Sequence, residues 1–182
     1  MTWIIVIAVF VLLVIWGQSV GKKVAKIEEV FNDTLKEKGI DTSSKIILGK
    51  YVGGHPELDN TVLNVFSFKH QNCLTLYAKL YKKPGDIGTV YFDHLTDIPI
   101  DNIKGISIED ASSIDKKVTL GRVLLVGVFA LAWKKKKKNE EAFLNINWTD
   151  GKYEHETLFQ FEDKGAFQEA NKVRNSLIKQ TR

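Results

Sequence analysis

The apolar positions near the amino end form one uninterrupted run. Residues Trp3 to Trp16 are apolar throughout, and low polarity continues as far as Val20. As an α-helix, the 18 residues from Trp3 to Val20 would extend about 27 Å, close to the thickness of a bilayer's hydrocarbon core. The pattern predicts a transmembrane anchor at residues 1–21, with a tryptophan near each membrane interface. A cleaved signal peptide is the alternative, although such peptides usually begin with positive charge and none precedes this run.

The next stretch has the spacing of an amphipathic helix. Between Lys22 and Lys38, apolar side chains recur at steps of three and four residues, which places them on one face of a helix. The apolar residues are Val24, Ile27, Val30, Phe31 and Leu35, and Thr34 lies on the same face. Gly39 is a natural helix stop, so residues 22–44 are predicted to be a juxtamembrane helix and its linker. The apolar stripe could pack on the domain that follows, which we favour, or on a second copy of the chain.

From Lys45 onward the pattern changes to short β-rich runs separated by turns. Strands are predicted near residues 45–51, 61–68, 74–80, 89–94, 102–109, 118–128, 142–147 and 153–161. The pair Asp150-Gly151 between two such runs predicts a β-hairpin. Apolar residues at helical spacing between Lys164 and Gln180 predict a final amphipathic helix. The expected fold of residues 45–182 is therefore α+β and mainly β, with about seven antiparallel strands followed by one helix.

Several phrases of this region carry a family resemblance. Asp97 to Glu109 reads DIPIDNIKGISIE, a proline-led segment before a strand of alternating isoleucines. It is followed by the apolar segment Val118 to Ala132, lysines, an Asp-Gly hairpin, a Phe-x-Phe strand end and a last helix. From Lys45 to Arg182 the chain resembles uncharacterised bacterial membrane-anchored proteins with a pleckstrin-homology-like, or GRAM-like, domain. The resemblance implies a β-barrel or sandwich closed by the C-terminal α-helix, and binding or scaffolding in place of catalysis.

A second apolar run covers Val123 to Trp133, inside the longer segment 118–133. As a helix its eleven residues would reach about 16 Å, roughly half of a hydrocarbon core, so the run is too short to span a bilayer alone. Both of its faces are apolar, which suits a central strand buried in the domain. We favour that interpretation; an element that touches the membrane and a segment that fits a partner's groove are the alternatives.

Five consecutive lysines follow this run, namely Lys134, Lys135, Lys136, Lys137 and Lys138. The simplest interpretation is a solvated hairpin turn, because Asn139 and two glutamates follow at once. Close to an anionic leaflet, however, each lysine contributes on the order of 1 kcal/mol to membrane binding. Trp133 could then lie at the level of the headgroups. Trp133 and the five lysines are therefore the predicted lipid- or partner-binding site.

Composition and charge limit the class of protein. The chain has 26 Lys and Arg against 22 Asp and Glu, a balance too even for a general nucleic-acid binder, so no nucleic-acid partner is expected. Cys73 is the single cysteine, which excludes an internal disulfide or a multi-cysteine zinc site and is typical of a reducing compartment. Lys22, Lys23 and Lys26 follow the predicted anchor, so the positive-inside tendency places the domain in the cytoplasm and the amino end outside. The predicted location is the cell membrane, with a single pass.

Candidate chemistry is sparse. Asp93, His94 and Asp97, with Asp101 close by, form the only compact cluster of metal-ligand types, and a turn rich in aspartate explains them equally simply. They are weak candidates for a divalent metal, and no cofactor is expected. The other histidines have no ligand spacing, and no nucleophile motif is present, so no catalytic residue and no enzymatic activity are predicted. A pocket formed around Asp93 to Asp101 would reopen the possibility of an enzyme.

These observations predict a non-catalytic, single-pass membrane protein. Its partners would be the membrane itself, through Trp3 to Val20, and either anionic lipid headgroups or a membrane protein at the inner leaflet. A structural or oligomerising subunit of a membrane complex is the alternative, in which case the helix at Lys22 to Lys38 and the apolar run Val123 to Trp133 would form the contacts of a homo-oligomer.

Overall fold

The structure is a computed structural model. It describes residues 2–58, 62–81, 90–119 and 140–182, and of residues 2–13, 62, 63, 81, 118 and 119 it describes the backbone only. Within these ranges there are three α-helices: α1 (Thr2–Glu37), α2 (Ala111–Thr119) and α3 (Ala166–Gln180). The strands are β1 (Ile46–Gly53), β2 (Val62–His70), β3 (Cys73–Tyr81), β4 (Val90–Pro99), β5 (Ile103–Glu109), β6 (Glu141–Thr149) and β7 (Glu154–Glu162).

Helix α1 is one unbroken element. The sequence predicts an anchor and a separate juxtamembrane helix, whereas the structure joins both in the single helix Thr2–Glu37, in which no proline interrupts the backbone hydrogen bonds. The helix stops where Gly39 predicts it. Gly39 takes φ +74°, its N–H donates to the carbonyl of Lys36, and the N–H of Ile40 donates to the carbonyl of Leu35, both at 2.9 Å. This left-handed ending satisfies carbonyls that the last turn would otherwise leave unpaired.

The predicted membrane span, Trp3 to Val20, lies in the amino-terminal part of α1. In the part of the chain that the structure describes, no helix is both long and apolar enough to cross a membrane. The side chains of residues 3–13, which make up most of the predicted span, lie outside the described set.

The seven strands form one antiparallel sheet in the order β4-β3-β2-β1-β7-β6-β5. Strands β4 and β5 lie at its two ends and do not pair with each other, so the closed barrel that the resemblance implies is not formed in the described part of the chain. A short 3-10 turn, Ile100–Asn102, carries the chain from β4 to β5. Helix α3 covers the free edge of β5, where Arg174 Nε donates to the carbonyl of Ile106 at 2.8 Å. The mainly β fold with a C-terminal helix is confirmed.

The sheet encloses a single main core. Ile98 of β4 and Ile106 of β5, at opposite ends of the sheet, belong to the same buried cluster, so the sheet is curled around it. Inward-facing residues of every strand contribute, and α3 adds Ala166, Ala170 and Leu177. Because successive side chains of a strand alternate between faces, the other face carries separate small clusters under α1 and α2. Those outer clusters matter most for function.

Strand β1 serves both halves of the sheet. Its first half pairs with β2 and its last residues pair with β7, and register shifts on either side of Gly49 accommodate the change. Just past its end, Gly54 takes φ +90°, and a Cβ atom there would overlap the carbonyl oxygen of Glu156. Only glycine allows the backbone to approach β7 this closely while turning away from it.

Helix α2 replaces the beginning of a predicted strand. The run from Val118 predicts β-structure, but residues 118 and 119 are the last turn of α2, so the prediction is wrong there. Asp110 explains the helix: its carboxylate accepts hydrogen bonds from the Ser113 N–H at 2.7 Å and the Ser112 hydroxyl at 2.8 Å, which caps the amino end. Residues 120–128 of that predicted strand, and the whole apolar run Val123 to Trp133, lie outside the described residues.

Candidate functional site

The predicted lipid-binding residues, Trp133 and Lys134 to Lys138, lie outside the described residues. Four other places combine polar or aromatic groups in a way that bears on function. They are the contact between α1 and the sheet, a groove beside the end of α1, the turn after β1 and the contact between α2 and the sheet.

Helix α1 is fixed to the outer face of β2, β3 and β4 by aromatic side chains. Phe31 stacks on Phe92 with ring centroids 4.1 Å apart and meets the edges of Phe66 and Tyr77 at 6.0 and 5.4 Å. Leu35 and Ile40 are fully buried in the same cluster, together with Phe68. The predicted packing of the helix on the domain is therefore confirmed. The stripe is narrower than the sequence predicts, because Val30 remains 59% exposed.

Charged side chains border this aromatic contact. Lys79 Nζ of β3 lies 2.7 Å from Glu28 Oε1 of α1, and the lysine is three-quarters buried. Lys45 Nζ lies 4.4 Å above the ring of Phe66, a cation–π arrangement. Burial lowers the pKa of Lys45, as does the charge of Lys79, whereas Glu28 raises it. Glu28 therefore ties the helix to Lys79 of the sheet and favours the charged form of the nearby Lys45.

A groove lies between the end of α1 and strands β3 and β4. Its volume is about 390 Å³, and its lining residues are Lys38, Ile40, His70, Thr75, Tyr77, His94 and Asp97. On a regular strand, His94 and Asp97 would point to opposite faces. A bulge at Leu95 adds one residue to β4 there, so both side chains lie on the groove face with His94 Nε2 3.3 Å from Asp97 Oδ2.

This groove is a pocket of the kind that an enzyme near Asp93 to Asp101 would require, and among the described residues its acid–histidine pair is formed by His94 and Asp97. Across the described residues, no three metal-ligating side chains come together, and Asp93 does not join the contact between His94 and Asp97. The hydroxyl of Thr75 is buried without a hydrogen-bond partner in those residues, so it is not activated by His94. Burial and the charge of Asp97 raise the pKa of the Cys73 thiol, which keeps it protonated.

The turn after β1 is built around a buried histidine. His55 is 5% exposed, stacks on Trp148 at 5.1 Å, and accepts the N–H of Glu57 at Nδ1, so its proton is on Nε2. No partner for Nε2 is found among the described residues. Tyr51 of β1 holds the turn in place. Its hydroxyl accepts the N–H of His55 and donates to the carbonyl of Leu58, both at 3.0 Å. Burial lowers the pKa of His55 to about 4, with a smaller lowering contribution from His155 and an opposing one from Glu57.

This histidine predicts a loss of stability in mild acid. Its pKa is about 4 in the folded protein against an ordinary value of 6.5, so between these pH values only the unfolded chain takes up the proton. We expect about 2 to 3 kcal/mol of the free energy of unfolding to be lost as the pH falls from 6.5 to 4. His55→Asn keeps an acceptor for the Glu57 N–H but cannot titrate. Urea unfolding at several pH values should give a flatter curve for this variant, and an unchanged slope would contradict the assignment.

Helix α2 is held to β5, β6 and β7 by a buried ion cluster. Lys117 donates to Glu109 Oε1 at 2.6 Å and to Glu156 Oε2. The amide of Asn145, itself buried, donates to the same two carboxylates at 2.7 and 2.8 Å. Burial alone would lower the pKa of Lys117, but its two glutamate partners raise it. The arrangement holds α2 on the sheet, since the Lys117 ammonium offsets part of the repulsion between the two carboxylates and the Asn145 amide donates a hydrogen bond to each.

Sequence reasoning missed most of these residues. His55 and Lys117 carry no local motif, because their partners are up to about a hundred positions away in the chain. The double glycine before His55 was the available signal, since it marks a tight backbone approach. Glu28 could have been found from its position on the apolar side of the helix, where an isolated acid implies a basic partner.

Comparisons with known proteins add no assignment. No family model, no curated protein and no solved structure matches this chain.

Proposed function

We propose that the chain is a non-catalytic, single-pass membrane protein whose domain at residues 45–182 has a pleckstrin-homology-like fold and binds anionic lipid headgroups at the inner leaflet. Trp3 to Val20 form the span, and Trp133 with Lys134 to Lys138 forms the lipid-binding site. A protein partner at the same site is the other form of this proposal.

One observation supports this proposal above the others: α1 runs without a break from Thr2 into the aromatic contact with the sheet. A domain held by such a helix stays within a few nanometres of the bilayer, so even a weak lipid site is occupied because lipid is locally concentrated. The mainly β architecture followed by a closing helix agrees with the proposed fold.

The lipid site is tested with a fragment that keeps α1 on the sheet. A fragment starting at Lys45 would expose Phe66, Phe68 and Phe92, so the fragment should start at Lys22. At low salt, Lys134 to Lys138→Gln should weaken binding to phosphatidylglycerol vesicles at least about tenfold, since each lysine contributes on the order of 1 kcal/mol. Flotation of the fragment with vesicles measures this.

The matched control is Lys134 to Lys138→Arg, which keeps the charge and should keep the binding. Equal binding of the glutamine variant at low salt would contradict the lipid site. Protease accessibility of the domain in sealed vesicles checks the orientation separately. We expect cleavage only after the inner face of the membrane is exposed to the protease.

An oligomerising subunit is the second candidate. Val30 on α1 and Ile47 on β1 are 59% and 61% exposed, although both are large and apolar. Such residues can form contacts between copies. A monodisperse monomer of the full chain in detergent would exclude this candidate.

A further inference from the structure

The contacts along α1 define its direction on the sheet. Glu28 meets Lys79 near the end of β3, Phe31 then stacks on Phe92, and Lys38 lines the groove together with Thr75 near the start of β3. Helix α1 therefore runs antiparallel to β3. Its amino-terminal part leaves the domain at the end of the sheet where β3 stops and β4 begins.

The rise per residue along α1 and β3 places that end of the sheet at the level of Lys22 to Lys26, the first helical turns after the predicted span. Lys22 to Lys26 precede Glu28 by about 3 to 9 Å along the helix axis. From Lys79, β3 continues about 7 Å in the same direction to Tyr81. Tyr91, at the start of β4, is 46% exposed at this level. Gln71, in the tight turn between β2 and β3, lies at the opposite end of the same strands.

The same level is basic. Lys22, Lys23 and Lys26 are exposed on α1, and the three-quarters-buried Lys79 of β3 is paired with Glu28. Glu28 and Glu29 are the acids of this stretch of α1, so lysines outnumber them. Exposed lysines next to an exposed tyrosine match a lipid surface, because ammonium groups contact phosphates while the phenol ring lies at the interface.

We propose that the end of the sheet formed by Tyr81 and Val90 to Phe92 faces an anionic bilayer and touches it, held in this orientation by α1. Lys22, Lys23 and Lys26 contact lipid phosphates on the helix, and Tyr91 contacts the surface from the sheet. The inference rests on the membrane anchor of the proposed function and does not use Trp133 or the lysines that follow it. It commits the domain to one orientation, with the turn at Gln71 pointing away from the membrane. The start of β6, which these lysines precede in the chain, lies at the same end of the sheet as the turn at Gln71, so this orientation and lipid contact through Lys138 are alternatives that the two tests separate.

The test measures the distance of two positions from the bilayer. The full chain, in a Cys73→Ser background, carries a fluorophore at Tyr91→Cys or at Gln71→Cys and is placed in nanodiscs of phosphatidylcholine and phosphatidylglycerol with a quencher on the headgroups. We expect quenching at position 91 to be several-fold stronger than at position 71. Equal quenching, or stronger quenching at 71, would overturn the orientation. If Tyr91→Cys fails to fold, Asp93→Cys, exposed on the same strand, replaces it under the same criteria.

A charge variant tests the lipid contact itself. Lys22, Lys23 and Lys26→Gln should reduce the quenching at position 91 at least twofold in the mixed nanodiscs. Removal of three exposed lysines from the α3 region, Lys164, Lys172 and Lys179→Gln, is the matched control and should leave it unchanged. An equal effect of both variants would overturn the role of the helix lysines.

The anchor is checked on its own by alkaline extraction of membranes. A chain that is extracted at alkaline pH contradicts the proposed function. A chain that stays in the membrane while position 91 is not quenched contradicts only the orientation.

Discussion

Replacement of Gly54 by alanine is expected to lower the free energy of unfolding by about 3 kcal/mol or more. Two costs add. The backbone at Gly54 has φ +90°, a conformation that costs an L-residue about 1 to 2 kcal/mol, and the new methyl group would overlap the carbonyl oxygen of Glu156. Relief of such an overlap in packed structure costs about 1 to 3 kcal/mol more. Thermal unfolding of the full chain in detergent, followed by near-ultraviolet circular dichroism, measures the loss.

Gly151→Ala separates the two costs. Gly151 has φ +92°, nearly the same backbone conformation, but a Cβ atom there would meet nothing within 4 Å. We expect this variant to lose only the conformational part, about 1 to 2 kcal/mol. If both variants lose the same amount, the close approach between the β1 turn and β7 is not as described. Replacement of Gly54 should also disturb His55, which lies in the same turn, and Trp148 of β6, on which His55 stacks.

The second large effect is expected for Phe31→Ala. Removal of the ring eliminates the stack on Phe92 and the edge contacts with Phe66 and Tyr77. A fully buried phenylalanine costs about 3 to 5 kcal/mol when truncated; for this half-buried ring we expect about 2 kcal/mol. Because the loss falls on one contact, α1 should detach from the sheet before the domain unfolds. Hydrogen exchange of amides 28–37 should then become roughly 30-fold faster.

Val30→Ala is the neighbouring control. Val30 lies on the same helix turn but is 59% exposed. Its truncation should therefore change the opening free energy of the same amides, measured by hydrogen exchange, by less than about 0.5 kcal/mol. Comparable effects of the two variants would mean that α1 is stabilised by its own backbone and not by the aromatic contact. Faster exchange across all strands in Phe31→Ala would show that the helix is an integral part of the core.

The strands could be predicted because their apolar periodicity is local. The hairpin at Asp150-Gly151 is one example, where β6 and β7 pair as far as Thr149 and Glu154 and Asp150 accepts two backbone N–H groups of the turn. Helix α2 could not be predicted so easily, since its residues from Ala111 to Thr119 are mostly polar and only the cap at Asp110 indicates a helix. The closure of the sheet depends on whether β4 and β5 meet, a long-range property that no local pattern expresses.

The candidate sites were predictable to a smaller degree. The apolar stripe of α1 correctly indicated Phe31 and Leu35 as contact residues, because helical periodicity specifies a face. It did not indicate which face of which sheet they meet. The pair His94 and Asp97 shares a face only because of the bulge at Leu95, and a bulge has no reliable signature in one sequence. His55 and Lys117 acquire their environments from residues far along the chain.

The absence of a break in α1 has a mechanical consequence. When a rigid helix joins a bilayer segment to a packed domain, any tilt of the bilayer segment tilts the domain by the same angle. Transmembrane helices tilt by about 20° on average, and they tilt more in thinner bilayers. If Trp3 to Val20 span, a change in bilayer thickness would rotate the whole domain about the membrane surface. The groove at His94 and the turn at Gln71 would then rise or fall relative to the leaflet, so the chain would report membrane thickness as a change in the height of its far end.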